Sequence, residues 1–323
     1  MSILKPKITI VSPCFNEIEN IKDCYDAVLK IFETEPLNQY DREHIIVDDF
    51  STDGTRDVLL ELSKNDKNLK IIFNARNFGV YRSAYHGLKY ATGIFVVPML
   101  PVDLQDPPEF INEMLKKKLE TGRSIVYGMR YDREEAFLMK QIRRLYYITL
   151  DKSSSIKIPR YAGEFQVIDR WVIDELIKEP DYYPFLRGKI ASITSDSIGM
   201  HYTWKKRQKG KTKHNLLKLY DQGVNGLIST SILPLRFMIV FGLFLSVGSI
   251  GFSLLQVFLY LFSEVPGGIR GVPTIITGLF FLVGMLFIFL GVIGEYVGAI
   301  HSQVRGNDRP ISMKTFNIGL KDE

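Results

Sequence analysis

Two cysteines, Cys14 and Cys24, are all that 323 residues contain, so a disulfide framework is excluded and both read as packing residues in a reduced compartment. Glycine-rich phosphate cradles are missing too. Neither G-x-G-x-x-G nor G-x-x-x-x-G-K-[ST] occurs, so any bound nucleotide must have its phosphates neutralised by another device. His86, His201, His214 and His301 are scattered without ligand spacing, which removes a histidine-built metal centre. The opening "MSILKPKITIVSP" is polar and runs into a strand pattern instead of a secretory apolar core, so the N-terminal half is expected in the cytoplasm. No internal repeat or low-complexity segment is present.

Charge is absent from two long stretches, Phe237 to Phe262 and Gly271 to Gly294. Each exceeds the ~20 residues that cross a bilayer as a helix, and neither shows the polar face of a soluble helix. Transmembrane helices are predicted at about 235–262 and 272–296. Acid is absent from residues 205 to 218, where seven cations fall: Lys205, Lys206, Arg207, Lys209, Lys211, Lys213 and Lys218. Such a cluster beside a membrane attracts anionic head groups. With Arg270 the one cation between the spans, and further cations in the tail, both ends of the pair are expected in the cytoplasm. Without a recognition motif or a stacking array, nucleic acid is not an expected partner.

What remains is patterned. Strand-like runs at 8–13, 44–49, 69–74, 94–99 and 124–129 alternate with amphipathic segments, the mark of a mostly parallel sheet covered by helices. Such sheets bind ligands beyond the carboxyl ends of their strands, and those positions are polar here: Asn16-Glu17, Asp48-Asp49, Arg76-Asn77, Asp103 to Asp106, and Arg130. In "VDDFSTDGT", Asp53 suits a helix cap, whereas Asp48 and Asp49 suit a ligand. In "VDLQDPPEF", Asp106 and Glu109 read as a helix entry. Asp103 and Gln105, two apart, fall on one side of an extended segment and can offer two oxygens to a divalent cation. Residues 214–233 suit an amphipathic helix on the membrane.

Taken in order, "VSPCFNE", "VDDFSTDGT", "ARNFG", "VDLQDPPE", "GEF" at 163–165, "FLRG" and "GKTKH", followed by two hydrophobic spans, closely resemble the polyprenyl-phosphate glycosyltransferases of family 2. These include dolichyl-phosphate mannose synthases and bactoprenol glucosyl transferases. The resemblance covers nearly the whole chain to about residue 300. It implies a GT-A, Rossmann-like α/β catalytic domain over residues 1–213, joined to a two-helix transmembrane hairpin over 234–300 and a cytoplasmic tail over 301–323. It also implies inverting transfer of a single hexose from a UDP- or GDP-sugar to undecaprenyl phosphate at the cytoplasmic face of the inner membrane, for cell-surface glycans such as O-antigen. Carried over by position, Pro13, Phe15, Glu17, Asp48 and Asp49 would cradle the nucleoside, and Asp103 and Gln105 would hold Mg²⁺ or Mn²⁺. Arg130, Arg207, Lys211 and Lys213 would meet donor or acceptor phosphates. Glu164 falls where such enzymes place an aspartate proposed as base, giving Glu164, Asp103 and Arg207 as the catalytic set. Two departures stand out: Pro101 replaces the first aspartate of the usual "DADLQDPP", which predicts a weakly held cation, and Glu164 keeps the charge one methylene further out. Catalytic impairment through Pro101, leaving a nucleotide-sugar-binding scaffold, and transfer to another lipid or a protein are the competing readings. Gly242, Gly248, Gly251, Gly291, Gly294 and Gly298 suit close helix contacts within or between subunits, and a homo-oligomer is expected.

Overall fold

Parallel strands covered on both faces need to be apolar almost throughout, and β1 (Lys7–Cys14, KITIVSPC) and β2 (Asp41–Asp48) are buried at all but their first residue. The structure is a computed structural model that describes residues 5–131, 162–178, 185–205, 207, 209, 232–262, 272–305 and 309–318. Its remaining strands are β3 (Leu69–Asn74), β4 (Phe95–Val97), β5 (Ile125–Tyr131), β6 (Ala162–Asp169), β7 (Ser197–Thr203) and β8 (Ser312–Phe316). They form one sheet in the order β7-β5-β6-β4-β1-β2-β3-β8. The pairs β1·β2, β1·β4, β2·β3 and β5·β7 are parallel, whereas β4·β6, β5·β6 and β3·β8 are antiparallel. The five strands expected from periodicity are all present, and the strand-like "EFQVID" lies within β6.

Helices cover both faces. On one, α1 (Ile18–Ile31), α2 (Thr55–Asn65) and α4 (Phe110–Thr121) bury Ile21, Cys24, Val28, Leu59, Ile111 and Met114 against Ile8, Ile10 and Ile46. On the other, α3 (Val80–Leu88), α5 (Arg170–Lys178) and α6 (Leu186–Ile193) bury Ala84, Leu88, Val172, Leu176 and Ile190 against Val11, Ile45 and Val47. Gly87 makes the α3 contact close: a Cβ there would lie 2.6 Å from Val11 Cγ1 and 2.9 Å from Val47 Cγ2. Both cysteines are free and buried, as packing residues should be.

Two long apolar helices follow, α7 (Leu233–Phe262) and α8 (Val272–Arg305), with exposed phenylalanines, leucines and isoleucines along both. Pro234–Phe252 and Gly278–Arg305 are long and apolar enough to cross a membrane. The tail then does something the sequence did not suggest. β8 returns to the sheet and pairs with β3, Phe316 packing edge-on against Phe73 with ring centroids 5.5 Å apart. Asn317, in the left-handed region at φ 57°, donates to the carbonyls of Ser63, Asp66 and Leu69 at 3.0, 3.1 and 2.9 Å. An unpaired sheet edge invites pairing with other chains, and here the protein's own tail covers it. The expected amphipathic helix at 214–233 falls almost wholly outside the described residues.

Candidate active site

The carboxyl ends of β1, β2 and β4 open on one side of the sheet. After β1 the chain turns at Asn16, whose φ of 52° asparagine tolerates better than most residues. The turn is fastened to the loop after β2: Asn16 N–H donates to Ser51 Oγ at 2.8 Å, Glu17 N–H to Thr55 Oγ1 at 3.0 Å, and Thr52 N–H to Asn16 Oδ1 at 2.7 Å. Asp53 caps two helices, accepting from Ile18 N–H at 3.1 Å and Thr55 N–H at 3.1 Å. Burial opposes its ionisation, but these bonds and the Thr55 hydroxyl outweigh it and hold the carboxyl below its ordinary value.

Asp48 and Asp49 lie deeper than the sequence suggested, and their oxygens are engaged from within. Asp48 accepts from Ser51 N–H and from Arg56 Nε at 2.6 Å, with the Arg56 guanidinium between the Phe50 and Phe73 rings. Asp49 accepts from Asn74 Nδ2 at 3.0 Å and from the backbone N–H groups of Phe78 and Gly79, both at 2.8 Å. In this conformation the two aspartates shape the loops at the carboxyl ends of the strands. Pro13 is the penultimate residue of β1, and Phe15 begins the turn that carries Glu17.

The loop after β4 departs from the expected extended form. Leu104 has φ 55°, and Asp103 Oδ1 accepts from Gln105 N–H at 3.3 Å, so the two side chains are set by a turn and not by strand alternation. The loop is tied to the chain beyond β7: Lys205 N–H donates to Gln105 O at 2.9 Å. Burial pushes the Asp103 carboxyl above its ordinary value, Glu17 and Asp106 add to that, and Gln105 N–H and Arg207 oppose it.

Two arginines answer these acids. Arg207 Nη2 lies 2.6 Å from each oxygen of Glu17, Nη1 lies 3.7 Å from Asp103 Oδ2, and Nε donates to Lys209 O at 2.8 Å. Arg130, on β5, reaches Asp106 Oδ2 at 3.3 Å and donates through Nε to the Tyr202 hydroxyl at 3.1 Å, while its guanidinium lies over the Trp204 ring. The Tyr202 hydroxyl donates in turn to Asp106. Burial disfavours the Arg130 charge, but Asp106, Tyr202 and the Glu164 carboxylate on β6 more than offset it, so the cation is held firmly. Asp106 is therefore no helix cap: α4 begins at Phe110, and its N-terminal flank, Glu109, makes no side-chain capping bond. Tyr202 was missed by the sequence reading. Its signal is Gly128 across the sheet, where a Cβ would lie 2.7 Å from the Tyr202 ring.

The structure thus brings Glu17, Asp103, Gln105 and Arg207 together, and sets Arg130, Asp106 and Glu164 nearby; Lys211 and Lys213 lie outside the described residues. Among the described residues no group of three or more histidine, cysteine, aspartate or glutamate side chains could hold a metal ion unaided. Asp103 with the Gln105 amide still fits a Mg²⁺-type ion, which typically takes one or two carboxylates and completes its shell with phosphate oxygens and water.

Residues 9–177 match the family description Glycosyl transferase family 2. The chain belongs to glycosyltransferase family 2. The mostly parallel, doubly covered sheet is the GT-A architecture expected for this glycosyltransferase, here extended by two apolar helices. It is 31% identical to a glycosyltransferase of Synechocystis sp. over 98% of this chain and 96% of the relative. It is 32% identical to the SfII prophage-derived bactoprenol glucosyl transferase of Shigella flexneri over 96% of this chain and 98% of the relative. Among solved structures, a mannosyltransferase of Pyrobaculum calidifontis in complex with GDP-Man and Mn²⁺ aligns over 94% of this chain and 89% of its own, at 15% identity and a TM-score of 0.48.

Proposed function

We propose that this glycosyltransferase moves a single hexose, with inversion, from a UDP- or GDP-sugar to a polyprenyl phosphate at the cytoplasmic membrane surface. The observation that carries the reading is Arg207: it stands in the basic segment leading toward α7, yet its guanidinium lies among Glu17 and Asp103, in the loops after β1 and β4. A phosphate on a lipid whose tail stays in the bilayer would meet such a group first. Similarity over nearly the full chain to a bactoprenol glucosyl transferase supports the same acceptor class.

The chemistry asks little of a base, because a polyprenyl phosphate is already an anionic nucleophile. The protein has to hold it in line with the anomeric carbon and stabilise the departing nucleoside diphosphate. Arg207, with Lys211 and Lys213, would take the acceptor phosphate, and Arg130 would face the donor diphosphate. Pro13 and Phe15 would line the nucleoside side, over loops held by Asp48 and Asp49, while Glu17, expected there too, is turned to Arg207 instead. Glu164 would keep Arg130 charged and face the acceptor. Asp103 and Gln105 would hold the divalent cation, which when bound supplies further charge to the leaving diphosphate.

The tail supports a membrane hairpin. β7 and β8 belong to one sheet, so a chain that leaves the domain through α7 and returns through α8 crosses the bilayer an even number of times. The cations before α7 favour the cytoplasmic side for that sheet.

Membranes containing the protein, incubated with labelled UDP-glucose, UDP-galactose or GDP-mannose and undecaprenyl phosphate, are expected to yield a labelled polyprenyl lipid that EDTA suppresses. Failure of every common nucleotide hexose to label that lipid refutes the reading. Label on another lipid or on protein reassigns the acceptor.

A further inference from the structure

Glu17 stands where the family resemblance expects a nucleoside contact, but its carboxylate is otherwise engaged. Both oxygens lie 2.6 Å from Arg207 Nη2, and Asn20 Nδ2 donates to Oε2, also at 2.6 Å. Its backbone N–H is fixed by Thr55. The carboxylate is thus held from its own loop as well as by the arginine. Arg207 is constrained in turn, since its Nε is held by Lys209 O and the next cation in the sequence, Lys209, reaches Asp23 on α1 at 2.6 Å. The side chains of Glu17 and Arg207 are only 11% and 14% exposed, so solvent screens the pair weakly. The two residues are 190 positions apart, and one of them belongs to the segment that leads into the membrane.

A carboxylate and a phosphate offer a guanidinium the same two-oxygen face. A guanidinium parked on Glu17 is therefore aimed and charged for transfer to a phosphate arriving beside it. We propose that Glu17 is the positioning residue for Arg207, holding the guanidinium beside Asp103 until the phosphate of the lipid acceptor takes it over. This rests on the acceptor reading of Arg207 given above. The kinetic consequence is selective: loss of Glu17 should weaken use of the acceptor far more than use of the sugar donor.

The test pairs a chemical footprint with kinetics on the full-length protein in detergent. Arg207 is modified with phenylglyoxal and its rate read by peptide mass spectrometry, with exposed Arg305 in the same chain as reference. In the wild type Arg207 should react ~10-fold more slowly than Arg305; in Glu17→Gln it should approach the Arg305 rate, and in Glu17→Asp, which keeps the charge, it should stay slow. Glu17→Gln should also raise the KM for undecaprenyl phosphate ~10-fold while moving the KM for the nucleotide sugar less than ~3-fold. An unchanged Arg207 rate in Glu17→Gln, or equal rises in both KM values, overturns the proposal. If the wild type places no sugar on polyprenyl phosphate while the footprint still responds to Glu17, the acceptor reading falls and the hold of Glu17 on Arg207 stands.

Discussion

Asp106→Asn separates two accounts of the same residue. At a helix N-cap, asparagine serves about as well as aspartate, so a capping role predicts a change within ~0.5 kcal/mol. The structure instead gives Asp106, 3% exposed, to the Tyr202 hydroxyl and to Arg130 Nη2. Asparagine keeps the shape and removes the charge, leaving the Arg130 guanidinium against Trp204, with Phe110 and Phe165 packed on Tyr202. Breaking a buried ion pair on one side costs ~3–5 kcal/mol. The Arg130 side chain is 24% exposed and Glu164 supplies a second negative charge, so the lower end applies, ~3 kcal/mol. For a domain of this size that is a fall in melting temperature of ~6–12 °C. Trp204, lying on Arg130, makes intrinsic fluorescence a local reporter of unfolding. Tyr202→Phe alone should cost ~1–2 kcal/mol, and the double variant less than the sum, because the hydroxyl donates to the carboxylate already removed. An Asp106→Asn protein that melts within ~2 °C of wild type, with Tyr202→Phe adding independently, would refute the ion-pair account.

Asn317→Ala removes the amide that bridges the carbonyls of Ser63, Asp66 and Leu69, of which Asp66 O keeps a bond from Leu69 N–H, and should destabilise the domain by ~1–2 kcal/mol, seen as faster hydrogen exchange confined first to β3 and β8. Two histidines make the fold acid-sensitive: burial lowers His44 to about 3 and, with help from Lys89 and Arg309, His86 to about 4, against 6.5 for the free side chain. The unfolded chain therefore binds the extra protons, so the stability these residues contribute is complete above pH 6.5 and is lost as the pH falls toward 4, at ~1.4 kcal/mol per histidine per pH unit. His86→Gln should flatten that slope in chemical-denaturation curves. Arg207→Ala should abolish lipid transfer while leaving equilibrium binding of nucleoside diphosphate within ~3-fold, and equal loss of both would count against an acceptor role. Pro101→Asp should lower the Mg²⁺ or Mn²⁺ concentration for half-maximal transfer several-fold, and an unchanged requirement would show that position 101 contributes nothing to the ion.

How far the sequence could be read depended on how local each cause was. Buried parallel strands announce themselves as apolar runs, because both faces are covered, and the two long helices are visible for the same reason. β8 is the opposite case. Its pattern is half-buried at Ser312 and Phe316 and exposed between, so Ser312 to Phe316 show no alternation of apolar and polar residues. What makes it a strand is the vacant edge of β3, more than 230 residues earlier in the chain, and no window of sequence contains that edge.

The acids show the same limit in the site itself. Asp53 beside Thr55 is a local cap and was legible, whereas "DPPE" looked like a cap only because the partners of Asp106 are 24 and 96 residues away. Partners also sort the acids by task. Asp49 and Asp53 are satisfied chiefly by backbone N–H groups of fixed loops, which cannot leave without undoing the turn, so their work is in the fold. Glu17 and Asp103 are answered by Arg207, a side chain from a distant segment that can exchange a carboxylate for a phosphate while the backbone stays in place. A carboxylate neutralised by a side chain from a distant segment can change partner without undoing a turn of its own loop. On the function proposed above, Glu17 and Asp103 would then belong to the chemistry, and Asp48, locked to Arg56 beside Phe50 and Phe73, to the scaffold that holds them.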